Sequence, residues 1–231
     1  MLFRSSVVLI RRGEIPSAAE LGALVAARNG PGILERIQGA RVGVAGCGGL
    51  GSAIAGLLVR TGVGALVLVD FDLVEPSNLN RQHFYLDQIG APKTAALAAN
   101  LRRMNPGVRL EERQERIVPG TVQSLFAGCD AVAECLDQAD QKAMLITALR
   151  ISFPGLPVVA VSGIAGVGPT RGIRVRRAFG SVYLVGDGTS AAGPGAGLLA
   201  PRVATAAAIQ ANLILRILLG QDLDQDLEPE P

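Results

Sequence analysis

The chain contains no tryptophan, two tyrosines and six phenylalanines in 231 residues, so aromatic side chains make up only 3% of it. That scarcity argues against a surface built to stack nucleobases or sugars. Charge of either sign is nearly balanced, 22 basic residues against 20 acidic for a net charge of +2, and such a balance supplies no field able to hold a nucleic-acid backbone. Histidine occurs once, as His83, which excludes chemistry needing several imidazoles. Cys47, Cys129 and Cys135 are too few and too scattered for a disulfide framework, and none forms the C-x-x-C pair of a structural zinc site, so no zinc is expected. A reduced, cytoplasmic setting follows as an expectation. Long apolar runs are missing as well. The N-terminal run from Val7 to Ile10 is four residues, short of the roughly 7–15 of a signal peptide. The nearest approach to a membrane span, near the C-terminus, is broken by Gln210, Asn212 and Arg216.

What is present is apolar and glycine-rich: 49% hydrophobic residues, 18% charged, and 29 glycines, where about 7% glycine is usual. A single well-buried domain is expected, whose backbone repeatedly needs tight turns or close approach. Residues 1–40 read as a lead-in with one helix from Ser17 to Arg28, capped by Ser17. From residue 41 short β-branched runs alternate with helical patterns: RVGVAG (41–46), a helix from Leu50 carrying Ile54, Leu57 and Leu58 and stopped by Gly62, then ALVLVD (65–70). Helices over Lys93 to Met104 and Gln138 to Ser152 alternate with strands at 108–113, 130–135 and 157–162. Apolar strands without alternation fit a sheet covered on both faces. The expected fold class is therefore α/β, Rossmann-like, a mostly parallel sheet flanked by helices. RGIRVRR and SVYLVGD, either side of AFGS, add an antiparallel hairpin near the C-terminal end. Residues 186–197 read as a mobile glycine-rich loop, Leu199 to Leu219 as a long helix closing a domain of residues 41–220, and 221–231 as an acidic tail with no core to join.

The strongest local signal is Gly46-Cys47-Gly48-Gly49-Leu50-Gly51, a G-x-G-x-x-G between a buried strand and a helix. Gly46 permits the tight turn, Gly48 lets a phosphate approach bare backbone, and Gly51 lets the helix lie against the sheet, its N-terminus facing the anion. Asp70 ends the next strand, 19 residues after Gly51, where a carboxylate accepts from a ribose hydroxyl. A nucleotide site follows. These residues alone leave open an NAD-dependent oxidoreductase, which would show the same two features.

The stretch DFDLVEPSNLNRQHFYLDQIGAPK, Asp70 to Lys93, resembles the signature of the ThiF/MoeB superfamily, bacterial relatives of ubiquitin-activating enzymes. The likeness extends over about residues 40–220 and is nearest to short, zinc-free ThiF proteins associated with thiamine biosynthesis. The resemblance implies a homodimer and an adenylyltransferase that uses ATP and Mg2+. It would activate the C-terminal Gly-Gly carboxylate of a small ubiquitin-like sulfur carrier protein and release pyrophosphate. It further implies that Gly46, Gly48, Gly49 and Gly51 bind the nucleotide, that Asp70 holds the ribose, that Asn78, Arg81 and Lys93 contact the phosphates, and that Asp137 engages the metal beside the reacting carboxylate. Arg81, Lys93 and Asp137 are thus the candidate catalytic residues.

Elementary chemistry agrees, because an ionised carboxylate attacking an α-phosphate needs cations over the triphosphate and no general acid or base. Asp137 also reads as the N-cap of the following helix. The family's arginine that reaches the neighbouring subunit's nucleotide site has only Arg28 as a candidate here. No cysteine follows Cys135 to take up the activated group, so the expected chemistry stops at adenylation. Cys47 and Cys135 read as small buried residues, His83 as structural, and Arg174, Arg176 and Arg177 as either a solvated face or a strip for an acidic carrier. A relative acting on another carrier, or on a modified tRNA nucleoside carboxylate, remains the alternative substrate assignment.

Overall fold

The computed structural model describes residues 3–4, 9–10, 13–30 and 32–227. Phe3–Arg4 (β1) and Leu9–Ile10 (β2) pair antiparallel. Two helices follow, Ala18–Asn29 (α1) and Ile33–Gly39 (α2). Ser17 caps α1 as expected, in a reciprocal box in which its hydroxyl accepts from the Glu20 N–H while Glu20 accepts from the Ser17 N–H. The short helix α2, which carries no side-chain cap to announce it, drives Leu34 and Ile37 into the core.

The domain proper is a seven-stranded sheet. Its strands are Arg41–Ala45 (β3), Ala65–Val69 (β4), Arg109–Arg113 (β5), Ala131–Glu134 (β6), Val158–Val161 (β7), Arg174–Phe179 (β8) and Val182–Gly186 (β9). In space they run β5-β4-β3-β6-β7-β9-β8, every pair parallel except the β8/β9 hairpin at one edge. The helices between them are Gly49–Thr61 (α3), Lys93–Met104 (α4), Val122–Phe126 (α5), Ala139–Ser152 (α6) and Ala200–Leu218 (α7). The strand order reverses at β3: the chain builds outward through β4 and β5, then returns to lay β6 on the other side of β3. In such sheets the reversal leaves a crevice at the carboxyl ends of the two strands.

Both faces of the sheet are covered, which explains why its central strands are apolar at successive positions. Val42, Val44, Leu66, Leu68, Val159 and Val161 pack with α3, α4 and α7, while Val67, Val69, Val132 and Val158 pack with α5 and α6. Leu57, placed by helical spacing with Ile54 and Leu58, instead projects outward. On α7, Val203, Ala207, Leu213 and Ile214 are buried within the chain, while Ile217 and Leu218 are partly buried against the same core. Among the described residues no helix is long and apolar enough to cross a membrane.

The acidic tail is the clearest departure from the sequence reading. Leu223 is buried in the main core, Leu227 bridges to Val175 of the edge strand, and Asp224 and Asp226 pair with Arg177 and Arg216. Two leucines inside an acidic run carry no periodic signal, yet with the two ion pairs they seat its described part, 221–227; residues 228–231 lie outside the described residues. Leu223→Ala should therefore cost about 2–5 kcal/mol, the range of a buried leucine truncation. Chemical denaturation measures it, and a loss under half a kcal/mol would place the tail outside the cooperative unit.

Candidate nucleotide site at the sheet's switch point

The turn after β3 is set by three close approaches. Gly46 has φ +94° and donates its N–H to Val69 O at 2.8 Å. A Cβ on Gly46 would lie 2.9 Å from Cys135 O, and one on Gly51 would lie 1.8 Å from Gly46 O. No side chain fits at position 51, so α3 comes against β3 as closely as backbone allows. Gly48 differs: a Cβ there meets nothing nearer than Gln82 Nε2 at 3.7 Å. Its glycine keeps a surface bare. Gly48 caps α3 with no side-chain hydrogen bond, which leaves the helix N-terminus as an anion-binding end facing the crevice.

Around this end lies a cavity of about 960 Å3 lined by Gly46, Gly48, Gly49, Asp70, Arg81, Lys93 and Asp137. Asp70 accepts from the Cys47 N–H at 2.7 Å and the Asp72 N–H at 2.9 Å. Burial lifts its carboxyl above the ordinary carboxylate value, against the pull of those two donors. Lys93 opens α4 with its side chain 8% exposed, and its ammonium pairs with Asp72 at 2.8 Å. Arg81 is tethered by Asn80 Oδ1 at 2.8 Å and Ser77 O at 3.3 Å, and forms a wall shared with a second, smaller cavity.

Asn78 stands apart from its expected neighbours. It is buried, does not line the cavity, and its Oδ1 accepts from the Glu75 N–H at 3.0 Å while its carbonyl accepts from the Arg81 and Gln82 N–H groups. It builds the turn that presents Arg81; in this loop it is Asn80 and Gln82 whose residues line the cavity. Gln82 is 93% buried by the complement of its 7% exposure, and its Oε1 has no partner among the described residues. Asp137 is exposed on the cavity rim and makes no hydrogen bond or ion pair among those residues, while Gln138, not Asp137, takes the N-cap position of α6. Arg28 is exposed on α1 next to Asn29, which donates to Thr61 O. That is the far end of α3, whose 13 residues span about 20 Å, so Arg28 does not reach its own chain's site.

Three features carried no signal in the sequence. Arg116 stacks 3.8 Å above the Phe71 ring beside Asp70. Glu134, fully buried at the end of β6, is held by Lys142 at 2.9 Å and the Leu136 N–H at 2.7 Å; burial pushes its carboxyl up, against the ion pair. Gln210 of α7, also fully buried, donates to Glu134 O and Val159 O and so ties the helix to the end of β6 and to β7. The His83 backbone joins the frame, its N–H donating to Ser52 Oγ and its carbonyl accepting from Asn100, while the residue is exposed and partial desolvation of its ring lowers its pKa. Among the described residues no three His, Cys, Asp or Glu side chains gather as a metal site.

The ThiF family matches residues 22–229. The chain belongs to the ThiF family. It is 39% identical over 131 residues to the SAMP-activating enzyme E1 of Haloferax volcanii, an alignment covering 56% of this chain and 48% of that protein. It is 38% identical over 130 residues to the adenylyltransferase and sulfurtransferase MOCS3 of Bos taurus, covering 56% and 28%. It thus spans about half or less of these relatives' lengths. Among solved structures, the Escherichia coli tRNA N6-threonylcarbamoyladenosine dehydratase TcdA in complex with ATP superposes with a TM-score of 0.76 and 26% identity, covering 85% of this chain and 92% of that one. The family's mostly parallel sheet with its hairpin is the fold the strand patterns had indicated.

Two measurements follow from this geometry. Gly51→Ala should destabilise the protein by about 1–3 kcal/mol as an overpacked contact, whereas Gly48→Ala should unfold at the wild-type midpoint and lose nucleotide affinity; equal midpoints for both would dissolve the distinction. Burial also raises all three thiols, Cys129 to about 11 from an ordinary 9.0. Its thiolate is therefore scarce below pH 11, and iodoacetamide at pH 8 should modify the native protein about a hundredfold more slowly than a free thiol. Labelling at the free-thiol rate would contradict this.

Proposed function

We propose that the protein uses ATP to adenylate the C-terminal Gly-Gly carboxylate of a small ubiquitin-like sulfur carrier protein. The observation that carries the reading is the continuity of the cavity. From the phosphate end at Gly48, Arg81 and Lys93 it runs on to Gly163, Ala165, Ala191, Ala192 and Gly197. Its volume of about 960 Å3 lies at the top of the range for one small ligand, about 300–1,000 Å3. The lining that continues past the phosphate end gives a second substrate a place beside the nucleotide, and its small residues suit an extended tail without side chains.

In that arrangement the carboxylate, ionised at neutral pH, attacks the α-phosphorus; an O–P bond forms, the bond to the bridging oxygen breaks, and pyrophosphate leaves with its electron pair. No proton has to move, which suits a cavity without an imidazole. The uncapped end of α3, Arg81 and Lys93 stabilise charge that grows on the departing pyrophosphate. Asp137, unpaired at the rim, is the residue that would hold Mg2+, and the metal when bound adds countercharge over the phosphates. Asn78 supports Arg81 from behind. Burial of Cys47 and Cys135 and the raised pKa of all three thiols disfavour a covalent relay, so the reading stops at the adenylate.

The likeness to the adenylating relatives, one named for SAMP activation and one for sulfur transfer, supports a ubiquitin-like acceptor. Thiamine biosynthesis as the pathway rests on the resemblance of the Asp70–Lys93 stretch alone. A homodimer draws support from Leu73, Tyr85, Leu86 and Ile89, each exposed on the crossover after β4. A second reading, activation of a modified tRNA nucleoside carboxylate, is favoured by the 92% coverage of the E. coli dehydratase structure; the net charge of +2 weighs against an RNA acceptor.

Pyrophosphate release from ATP, measured with Gly-Gly-ending carriers and with threonylcarbamoyladenosine-containing tRNA, tests the choice. Release with carriers alone is expected, and release with the tRNA alone would install the second reading. Arg81→Ala and Lys93→Ala should each lower the rate by about 10²–10³ while circular dichroism stays unchanged. Wild-type turnover in either variant would remove that residue from its role.

A further inference from the structure

The far half of the cavity is organised by an ion pair that the adenylation chemistry does not use. Arg202 lies in the first turn of α7, where a cation opposes the helix dipole. It is 7% exposed, and its Nε has no partner among the described residues. A residue that breaks two local rules is held by something else. Here Nη2 donates to Asp187 Oδ2 at 2.6 Å and Nη1 to Gly168 O at 2.7 Å. Asp187 in turn accepts from the Thr189 N–H at 2.9 Å, and from the Ser190 N–H and Ser190 hydroxyl at 2.8 Å each. Burial opposes its ionisation, but the donors from Ser190 and Thr189 outweigh it and hold the carboxyl well below the ordinary range. Ser190 Oγ finally accepts from the Ala165 N–H at 3.2 Å.

One carboxylate thus joins three segments: the loop after β7, the loop after β9, and the start of α7. The backbone is shaped for it. Asp187 donates its N–H to Gly163 O at 2.9 Å, and a Cβ on Gly163 would stand 2.2 Å from Asp187 Oδ1. A Cβ on Gly186 would stand 1.8 Å from Ser162 O. Gly163, Ala165, Ser190 and Ala191 all line the cavity, so the clamp fixes both walls beyond the phosphates and touches none of the phosphate residues. The expected mobile loop is tied at its beginning by Asp187 and near its end by the Gly166 N–H to Gly197 O contact.

We propose that Asp187 and Arg202 are positioning residues for the acceptor: their ion pair holds the two walls at the spacing that brings an incoming carboxylate to the α-phosphate, without contributing to ATP binding. This rests on the adenylation reading for the identity of the acceptor. Walls no longer held at their spacing bind the incoming tail more weakly, a loss that appears in the carrier's KM and leaves ATP binding alone.

The test compares wild type with Asp187→Asn, Arg202→Met and the conservative Arg202→Lys. ATP affinity is read by calorimetry, KM by pyrophosphate release with a Gly-Gly-ending carrier, and backbone order by hydrogen exchange. The first two variants should raise the carrier KM by about tenfold or more, leave the ATP Kd within twofold, and speed exchange in 162–169 and 187–192; Arg202→Lys should recover part of the KM loss. Unchanged carrier KM, or an ATP Kd that weakens as much as the carrier KM, would overturn the proposal. If wild type binds ATP but no carrier supports turnover, the adenylation reading fails on its own, and unchanged exchange in the two segments would then overturn the clamp.

Discussion

Everything at this site depends on the contact between α3 and the turn that precedes it. A Cβ at position 51 would lie 1.8 Å from the Gly46 carbonyl, so the helix touches the strand end with backbone alone. That closeness aims the unpartnered N–H groups of α3 into the crevice where β3 and β6 part. Moved outward by one methyl group, the helix would lose both its packing on the sheet and its alignment with Asp70, whose carboxylate accepts from the very turn that the contact shapes. Fold and candidate chemistry are therefore set by one steric constraint.

Around this contact the chain has buried charge in places where it costs stability and fixes geometry. Lys93 is covered and paired with Asp72, Glu134 with Lys142, and Arg202 with Asp187. The two pairs closed off from solvent, Glu134–Lys142 and Arg202–Asp187, contribute little net stability and are costly to break by removing one partner, whereas Asp72 is 46% exposed and the loss of Lys93 leaves its carboxylate to water. All three stand at the carboxyl ends of strands or at helix starts around one cavity, which Asp72, Lys93 and Lys142 line and which Arg202 and Asp187 support from behind its wall. Their common effect is to give rigid positions to groups on loops, which would otherwise be the least ordered part of an α/β domain.

The parts of the site legible in the sequence are those governed by local rules. The Gly46–Gly51 turn, Asp70 at a strand end and Lys93 opening a helix each follow from turn chemistry or periodicity within a few residues. Asn78 shows the limit of that logic: the sequence places it in the right loop, but whether its amide faces the cavity or the backbone is decided by the turn it builds. Gln210 with Glu134, and Arg202 with Asp187, join residues 76 and 15 positions apart, a distance over which periodicity is silent. Arg202 did leave a trace, as a cation in the first turn of a helix. The seating of Leu223 left none.

The central claim is that the α-phosphoryl group of ATP passes to a carboxylate held in the far half of the cavity. Incubation with ATP labelled at the α-phosphate, and separately at the γ-phosphate, together with a Gly-Gly-ending carrier, tests it directly by mass and label analysis of the carrier. The account predicts that the α-label appears on the carrier's C-terminal carboxylate as an acyl-adenylate while the γ-label leaves in pyrophosphate. The γ-label on the acceptor, with ADP as product, would contradict it.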